Sequence, residues 1–163
     1  MKIRLICVGK MKNAPLQALV RDYTERIGHF ASLEVVELRD GKAADAGVRL
    51  TDEAKAFRQA LETKQSGKTQ SGSGFPGVVL WDEKGETLDT AQFADFLERE
   101  ARRGGTLTFL IGSSHGIDPG FKKEIPRHLR LSAFTLTHEW ARALALEQIY
   151  RAFCLQKGFP YHH

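Results

Sequence analysis

Three stretches in the second half of the chain bring together residue types able to handle a ligand. They are Leu80-Trp81-Asp82, Ile111-Gly112-Ser113-Ser114-His115-Gly116, and Ser132-Ala133-Phe134-Thr135-Leu136-Thr137-His138. Each closes or follows an apolar run of the kind that forms a buried strand. Small residues and accessible backbone at such places admit a flat ring whose edge is read by main-chain groups, within a largely apolar cleft. The Gly112 to Gly116 spacing is not the dinucleotide fingerprint, which needs three glycines and an acidic residue about 20 positions on. Nicotinamide cofactors are therefore not indicated. A simple turn explains the same two glycines equally well.

The last helical segment is the second place where chemistry can sit. His138, Glu139, Arg142 and Arg151 lie among Trp140, Leu144, Leu146, Ile149 and Phe153, and can face a ligand or RNA. His138 opens this segment directly after the third stretch, either as part of a site or as a capping histidine. Glu147 and Arg151, four residues apart, read as a helix ion pair. Phe159-Pro160-Tyr161 is aromatic and stiff, which suits a docked tail, and His162 and His163 follow. His29, His115 and His128 read as surface residues. No Cys/His pair stands at metal-ligand spacing, so no metal is expected.

The elements that must position these residues follow from periodicity. Strands are predicted at 3–8, 33–38, 77–81, 106–111 and 129–136, with a turn at 82–85. Helices are predicted over 15–27 with Gly28 as a left-handed end, from a Thr51 cap to about 64, and over 90–103. A short helix opens at Asp118-Pro119, and a long one spans 138–157 with Gly158 ending it. Residues 65–74 have the composition of a flexible connector and lack the Gly-Lys-Ser/Thr ending of a phosphate loop. Strands alternating with helices indicate a parallel α/β sheet covered on both faces. In such sheets, ligands bind outside the carboxyl ends of the strands.

Composition narrows the setting. The 163 residues are 42% hydrophobic and 27% charged, as in ordinary globular proteins, with a formal net charge of +4. That excess is compatible with a polyanionic partner without establishing one. No apolar run approaches the ~20 residues of a membrane span. The first ten residues have too short an apolar core for a signal peptide and read as a first strand. Cys7 and Cys154, both in apolar surroundings, read as buried free thiols of a reducing compartment, and a cytoplasmic location is expected.

Taken together, the three stretches, with Arg142, Glu147-Gln148, Tyr150-Arg151-Ala152 and Pro160-Tyr161-His162, resemble the bacterial ribosomal RNA large subunit methyltransferase H family. These are minimal members of the SPOUT, or α/β-knot, methyltransferases. The resemblance runs from Met1-Lys2-Ile3 and Val8-Gly9-Lys10 to the last residues, so 1–163 is treated as one domain. It implies a trefoil-knotted α/β fold acting as a homodimer. It also implies S-adenosyl-L-methionine as methyl donor and N3 of a pseudouridine in large-subunit ribosomal RNA as acceptor. Carried over by position, the cofactor residues are Leu80, Gly112, Leu131, Ser132, Ala133, Phe134, Thr135 and Leu136. His138 and His162 are candidates for proton handling, Arg142 for stabilising an anion or phosphate, and Tyr161 for stacking or positioning. The chain departs from the family pattern at Ser113, Thr137 and His163, where glycine, proline and a Lys or Arg are usual.

Arg102, Arg103, Lys122, Lys123, Arg127 and Arg130 are expected to add basic surface for RNA in a dimer. Two other readings stay open. One is a non-catalytic ribosome- or RNA-binding α/β module whose glycine loop is structural, and the other is the same chemistry directed at transfer RNA.

Overall fold

The structure is a computed structural model that describes residues 1–62 and 75–161; the connector expected at 65–74, His162 and His163 lie outside the described residues. In chain order the elements are β1 (Lys2–Val8), α1 (Ala14–Gly28), β2 (Ser32–Leu38), α2 (Ala46–Glu62), β3 (Val78–Thr87), α3 (Thr90–Arg103), β4 (Thr106–Ile111), α4 (Pro119–Glu124), β5 (Arg127–Arg130) and α5 (His138–Lys157). The five strands form one sheet in the order β2-β1-β4-β3-β5, and every pairing is parallel.

Alternation along the strands divides the core in two. Ile3, Leu5 and Cys7 of β1, with Leu107, Phe109 and Ile111 of β4, pack against α1, α3 and α5. Ile6, Val8, Leu110, Val78 and Leu80 face the other way, against Phe57 and Leu61 of α2 and Phe121 of α4. Cys7 and Cys154 are both buried free thiols. Local chemistry sets most helix ends. Asn13 accepts from the Leu16 N–H, Asp118 from Phe121, and Asp89 forms a reciprocal capping box with Gln92. Thr137 caps α5 by accepting from the Trp140 N–H, and Gly158 closes it at φ +68°. The threonine found where the family usually has proline thus has a local role.

Four expectations are corrected. Helix α2 starts at Ala46 rather than after Thr51, because Asp45 accepts the Val48 N–H at 2.9 Å and supplies the cap; Thr51 lies inside the helix and bonds back to the Gly47 carbonyl. Gly28 remains within α1 without a positive φ, and the chain leaves through His29 in a right-handed conformation. The turn at 82–85 is an excursion within β3. Trp81 and Glu86 both pair with Leu129, so the four residues between them bulge out and the strand resumes. Gly85 lies so close to the Leu129 backbone that a Cβ would fall 2.5 Å from its carbonyl carbon.

The fourth correction matters most for function. The last strand ends at Arg130 instead of continuing to 136. The Arg130 guanidinium takes the carbonyls of Ser132 (2.7 Å) and Ala133 (3.0 Å), and Ser132 Oγ accepts the Phe134 N–H. These local bonds turn 131–137 away from the sheet. An apolar run therefore lines a cavity rather than extending a ladder.

Candidate active site

The loops leaving β1, β3, β4 and β5 surround one hollow of about 990 Å³. It lies at the carboxyl ends of the strands, beside the point where the β1 crossover leads to one edge of the sheet and the β4 crossover to the other. Its volume is at the upper end of the ~300–1,000 Å³ common for small-molecule sites.

The β4 loop forms one wall. Gly112 keeps an ordinary φ; its requirement for glycine is spatial, since a Cβ would stand 2.5 Å from the Gly116 carbonyl oxygen and 2.7 Å from Ile117. Gly116 turns the loop at φ +89°, and Ser113 pairs with it in an isolated bridge without a positive φ. Serine at 113 is thus accommodated without strain. His115 is exposed at the rim, where Arg49 from α2 approaches its Nε2 at 2.8 Å.

The opposite wall is the segment after β5. Leu131, Ser132, Phe134, Thr135 and Leu136 line the hollow, but Ala133 does not. Phe134 is 83% exposed and stands at the mouth with the half-exposed Trp140. Leu80 is fully buried among the α2-facing core and does not reach the hollow. The next residue does: Trp81 points to the other face, stacks on Phe109 with centroids 5.5 Å apart, and forms part of the wall. Its Nε1 is buried without a hydrogen-bond partner among the described residues. Adjacent residues of a strand point to opposite faces, which is why Trp81 and Leu80 part company here.

His138 lines the hollow at the start of α5, its Nε2 packed toward the Gly9 backbone. The neighbouring Glu139 accepts the N–H groups of Lys12 (3.1 Å) and Asn13 (3.0 Å), tying α5 to the β1–α1 loop. Those two bonds hold its carboxyl below its ordinary value.

Arg142 does not face the hollow. It is 1% exposed, pairs with Glu37 of β2 and donates to the Gly9 carbonyl at 2.8 Å. A guanidinium so enclosed is a brace for the Gly9 loop rather than a free anion site. Its depth came from tertiary packing that helical periodicity does not encode.

Tyr161 is likewise elsewhere. Its hydroxyl lies 3.0 Å from that of Tyr23 and donates to Glu147 at 3.2 Å, while its ring packs edge-on to Tyr150. Burial, with the bond to Tyr23 and the nearby Glu147 charge, raises its pKa well above the ordinary phenol range. Glu147 lies nine residues, ~14 Å of helix, beyond His138. The Glu147–Arg151 ion pair is present at 2.6 Å.

Asp82 and Lys122 were not predicted as a pair. Asp82 leaves β3 in the excursion, and Lys122 on α4 meets it with Nζ 2.6 Å from Oδ2. Both line the hollow. Most of the cations expected to add basic surface also have partners within the chain, with Arg102 and Arg103 remaining exposed. Arg102, Arg103 and Arg127 are bound to Glu98, Glu100 and Glu86, Lys122 to Asp82, and Arg130 to main-chain carbonyls. Among the described residues no group of three or more His, Cys, Asp or Glu is placed to hold a metal, and no helix is long and apolar enough to cross a membrane.

An all-parallel α/β domain with a ligand-sized hollow at its strand ends is the class that fold and site define. The family described as "Predicted SPOUT methyltransferase" matches residues 1–162. Similar proteins named ribosomal RNA large subunit methyltransferase H occur in Gloeobacter violaceus (32% identical, covering 100% of this chain and 99% of the relative) and Geobacter sp. strain M21 (34%, 100% and 99%). A third, from Streptococcus thermophilus, is 34% identical over 99% of both chains. The chain belongs to the SPOUT methyltransferase family, whose fold is the trefoil-knotted α/β domain and whose members generally use S-adenosylmethionine.

Proposed function

We propose that this protein transfers the methyl group of S-adenosyl-L-methionine to N3 of a pseudouridine in large-subunit ribosomal RNA. The single observation that carries the reading is the shared hollow: four strand ends converge on one cavity of nucleoside size in a chain whose relatives bear the name of that enzyme. A ribosomal substrate and buried free thiols fit a cytoplasmic home.

The residues present fit the donor. Trp81, Leu131 and Leu136 offer apolar walls to an adenine, and the irregular backbone of 131–136 offers main-chain groups to its edge. When bound, the donor supplies an electrophilic methyl carbon on a sulfonium. The protein's task is then to orient that carbon and to receive the N3 proton. Of the titratable groups in the wall, Asp82 is held by Lys122 and the Lys84 N–H, and Glu139 by two backbone N–H groups. His138, which lines the hollow at the start of α5, is the proton acceptor in this scheme. Arg142 is its positioning residue, acting through Gly9.

Tyr161 enters only from a second chain, because within one chain it is anchored beside Glu147 and outside the hollow. A homodimer, in which the tail of one protomer meets the hollow of the other, supplies that approach and covers Phe134 and Trp140.

Purified protein, incubated with isotopically labelled donor and large ribosomal subunits, is expected to place one methyl on a pseudouridine N3, found by mass mapping. S-adenosylhomocysteine is expected to bind in calorimetry. Absence of nucleoside binding would favour the non-catalytic module, and label appearing in transfer RNA instead would replace the acceptor.

A further inference from the structure

The Asp82–Lys122 pair has a geometry that a purely structural clamp does not require. Asp82 is engaged at both oxygens and its side chain is only 7% exposed. Oδ1 accepts the Lys84 N–H at 3.1 Å, and Oδ2 faces Lys122 Nζ at 2.6 Å and His128 Nδ1 at 3.5 Å. The carboxylate's negative charge and these contacts suit it to hold Lys122 rather than to bind an anionic group itself. Lys122 differs: an ammonium carries three donors, one is spent on Asp82, and its side chain keeps 32% of its exposure while lining the hollow. Its own carbonyl lies 3.0 Å from His128 Nε2, so the α4 backbone is fixed as well as the side-chain tip. Among the described residues of the wall, the lysines and arginines number two, Lys122 and the exposed Lys84.

Burial alone raises the Asp82 carboxyl, but the bonds from Lys122 and the Lys84 backbone, with the nearby positive charges, outweigh it and leave it below its ordinary value. Asp82 thus remains an anion, and Lys122 is held at fixed length over the cavity.

We propose that Lys122, positioned by Asp82, is the subsite for the carboxylate of an amino-acid group carried by the nucleoside ligand. The inference rests on the adenosyl reading above and adds to it the recognition of the end remote from the base. A charge-assisted bond from a tethered ammonium to a carboxylate is among the stronger polar contacts available. It distinguishes S-adenosyl amino acids from nucleosides that lack the amino-acid arm.

Calorimetry with two probes tests this in the intact protein. S-adenosylhomocysteine carries the amino-acid arm, and methylthioadenosine lacks it. Wild-type protein is expected to prefer the former. Lys122→Gln is expected to weaken it about ten- to a hundredfold while leaving methylthioadenosine affinity within about twofold. Lys122→Arg should retain most of the preference, and Asp82→Asn should lose part of it. Thermal melts confirm that each variant is folded before binding is read. Equal weakening of both probes, no effect of Lys122→Gln, or no wild-type preference would overturn the subsite while leaving the nucleoside reading intact. Failure of wild-type protein to bind either probe would overturn the proposed function itself.

Discussion

Arg142 donates to the carbonyl oxygen of Gly9 across 2.8 Å, joining residues 133 positions apart. With Glu37 on the same guanidinium, the contact braces the first strand-to-helix loop against the start of α5, where His138 stands. Glu139 strengthens the brace from the neighbouring turn by accepting from Lys12 and Asn13.

Removing that brace has a stability cost and a kinetic signature. Arg142→Ala leaves the Gly9 carbonyl without its partner and a void in the core, and should cost about 3 kcal/mol in urea unfolding. Glu37 is 40% exposed on its side chain and can hydrate, which keeps the loss at the lower end of the range for broken buried pairs. Arg142→Lys should lower methyl transfer more than donor affinity, because it disturbs His138 without entering the hollow. Equal losses in both would argue that Arg142 touches the ligand.

Acid should weaken the fold through Asp82 and Glu139. Both carboxyls have folded values below their ordinary ones of 3.8 and 4.5, so each contributes stability that is complete above the unfolded value. That stability is lost as pH falls through the folded value. Urea midpoints measured from pH 6 down to about 2.5 should therefore drop most steeply below about pH 4.5. Asp82→Asn should be less stable at neutrality and show a shallower acid slope; an unchanged slope would count against the pairing with Lys122.

At the alkaline end the sign reverses. The Tyr161 phenol is raised, so its contribution is complete below the ordinary value of 10 and is lost as pH climbs through the folded one. Absorbance at 295 nm should show its ionisation delayed relative to a free phenol and coincident with unfolding. Tyr161→Phe removes the links to Tyr23 and Glu147, should cost about 1 kcal/mol at pH 7, and should flatten this alkaline limb.

Gly112→Ala tests the tightness of the β4 loop. A methyl 2.5 Å from the Gly116 oxygen and 2.7 Å from Ile117 forces the loop to open, with an expected cost of about 1–3 kcal/mol. Ser113→Gly, at an ordinary φ, should gain nothing. Nucleoside affinity should fall in the first variant and hold in the second.

The thiols supply a check on the core. Burial pushes the Cys7 thiol up to about 12, and Cys154 is equally enclosed. Neither should react with a thiol reagent at pH 8 until the protein unfolds. Rapid native labelling of both would contradict the packing of α5 on β1.

The sequence by itself determined what local periodicity and local chemistry encode. The alternation of Ile3, Leu5 and Cys7 against Ile6 and Val8 marks a strand buried on both faces, and Gly158 ends α5 because it alone reaches φ +68° cheaply. The three stretches at 80–82, 111–116 and 132–138 were legible as strand ends, and the family pattern was legible in their order. Tertiary structure decided which side chains those ends present. Trp81 rather than Leu80 faces the hollow because a strand offers alternate residues to opposite faces, and only its neighbours fix which face holds the ligand. Arg142 is buried, Lys122 overhangs the cavity and Tyr161 lies beside Glu147 because each meets a partner brought in by the fold of the whole chain. Contacts across such separations leave no period in the sequence, and the knotted crossing of the family fold has no local signature at all.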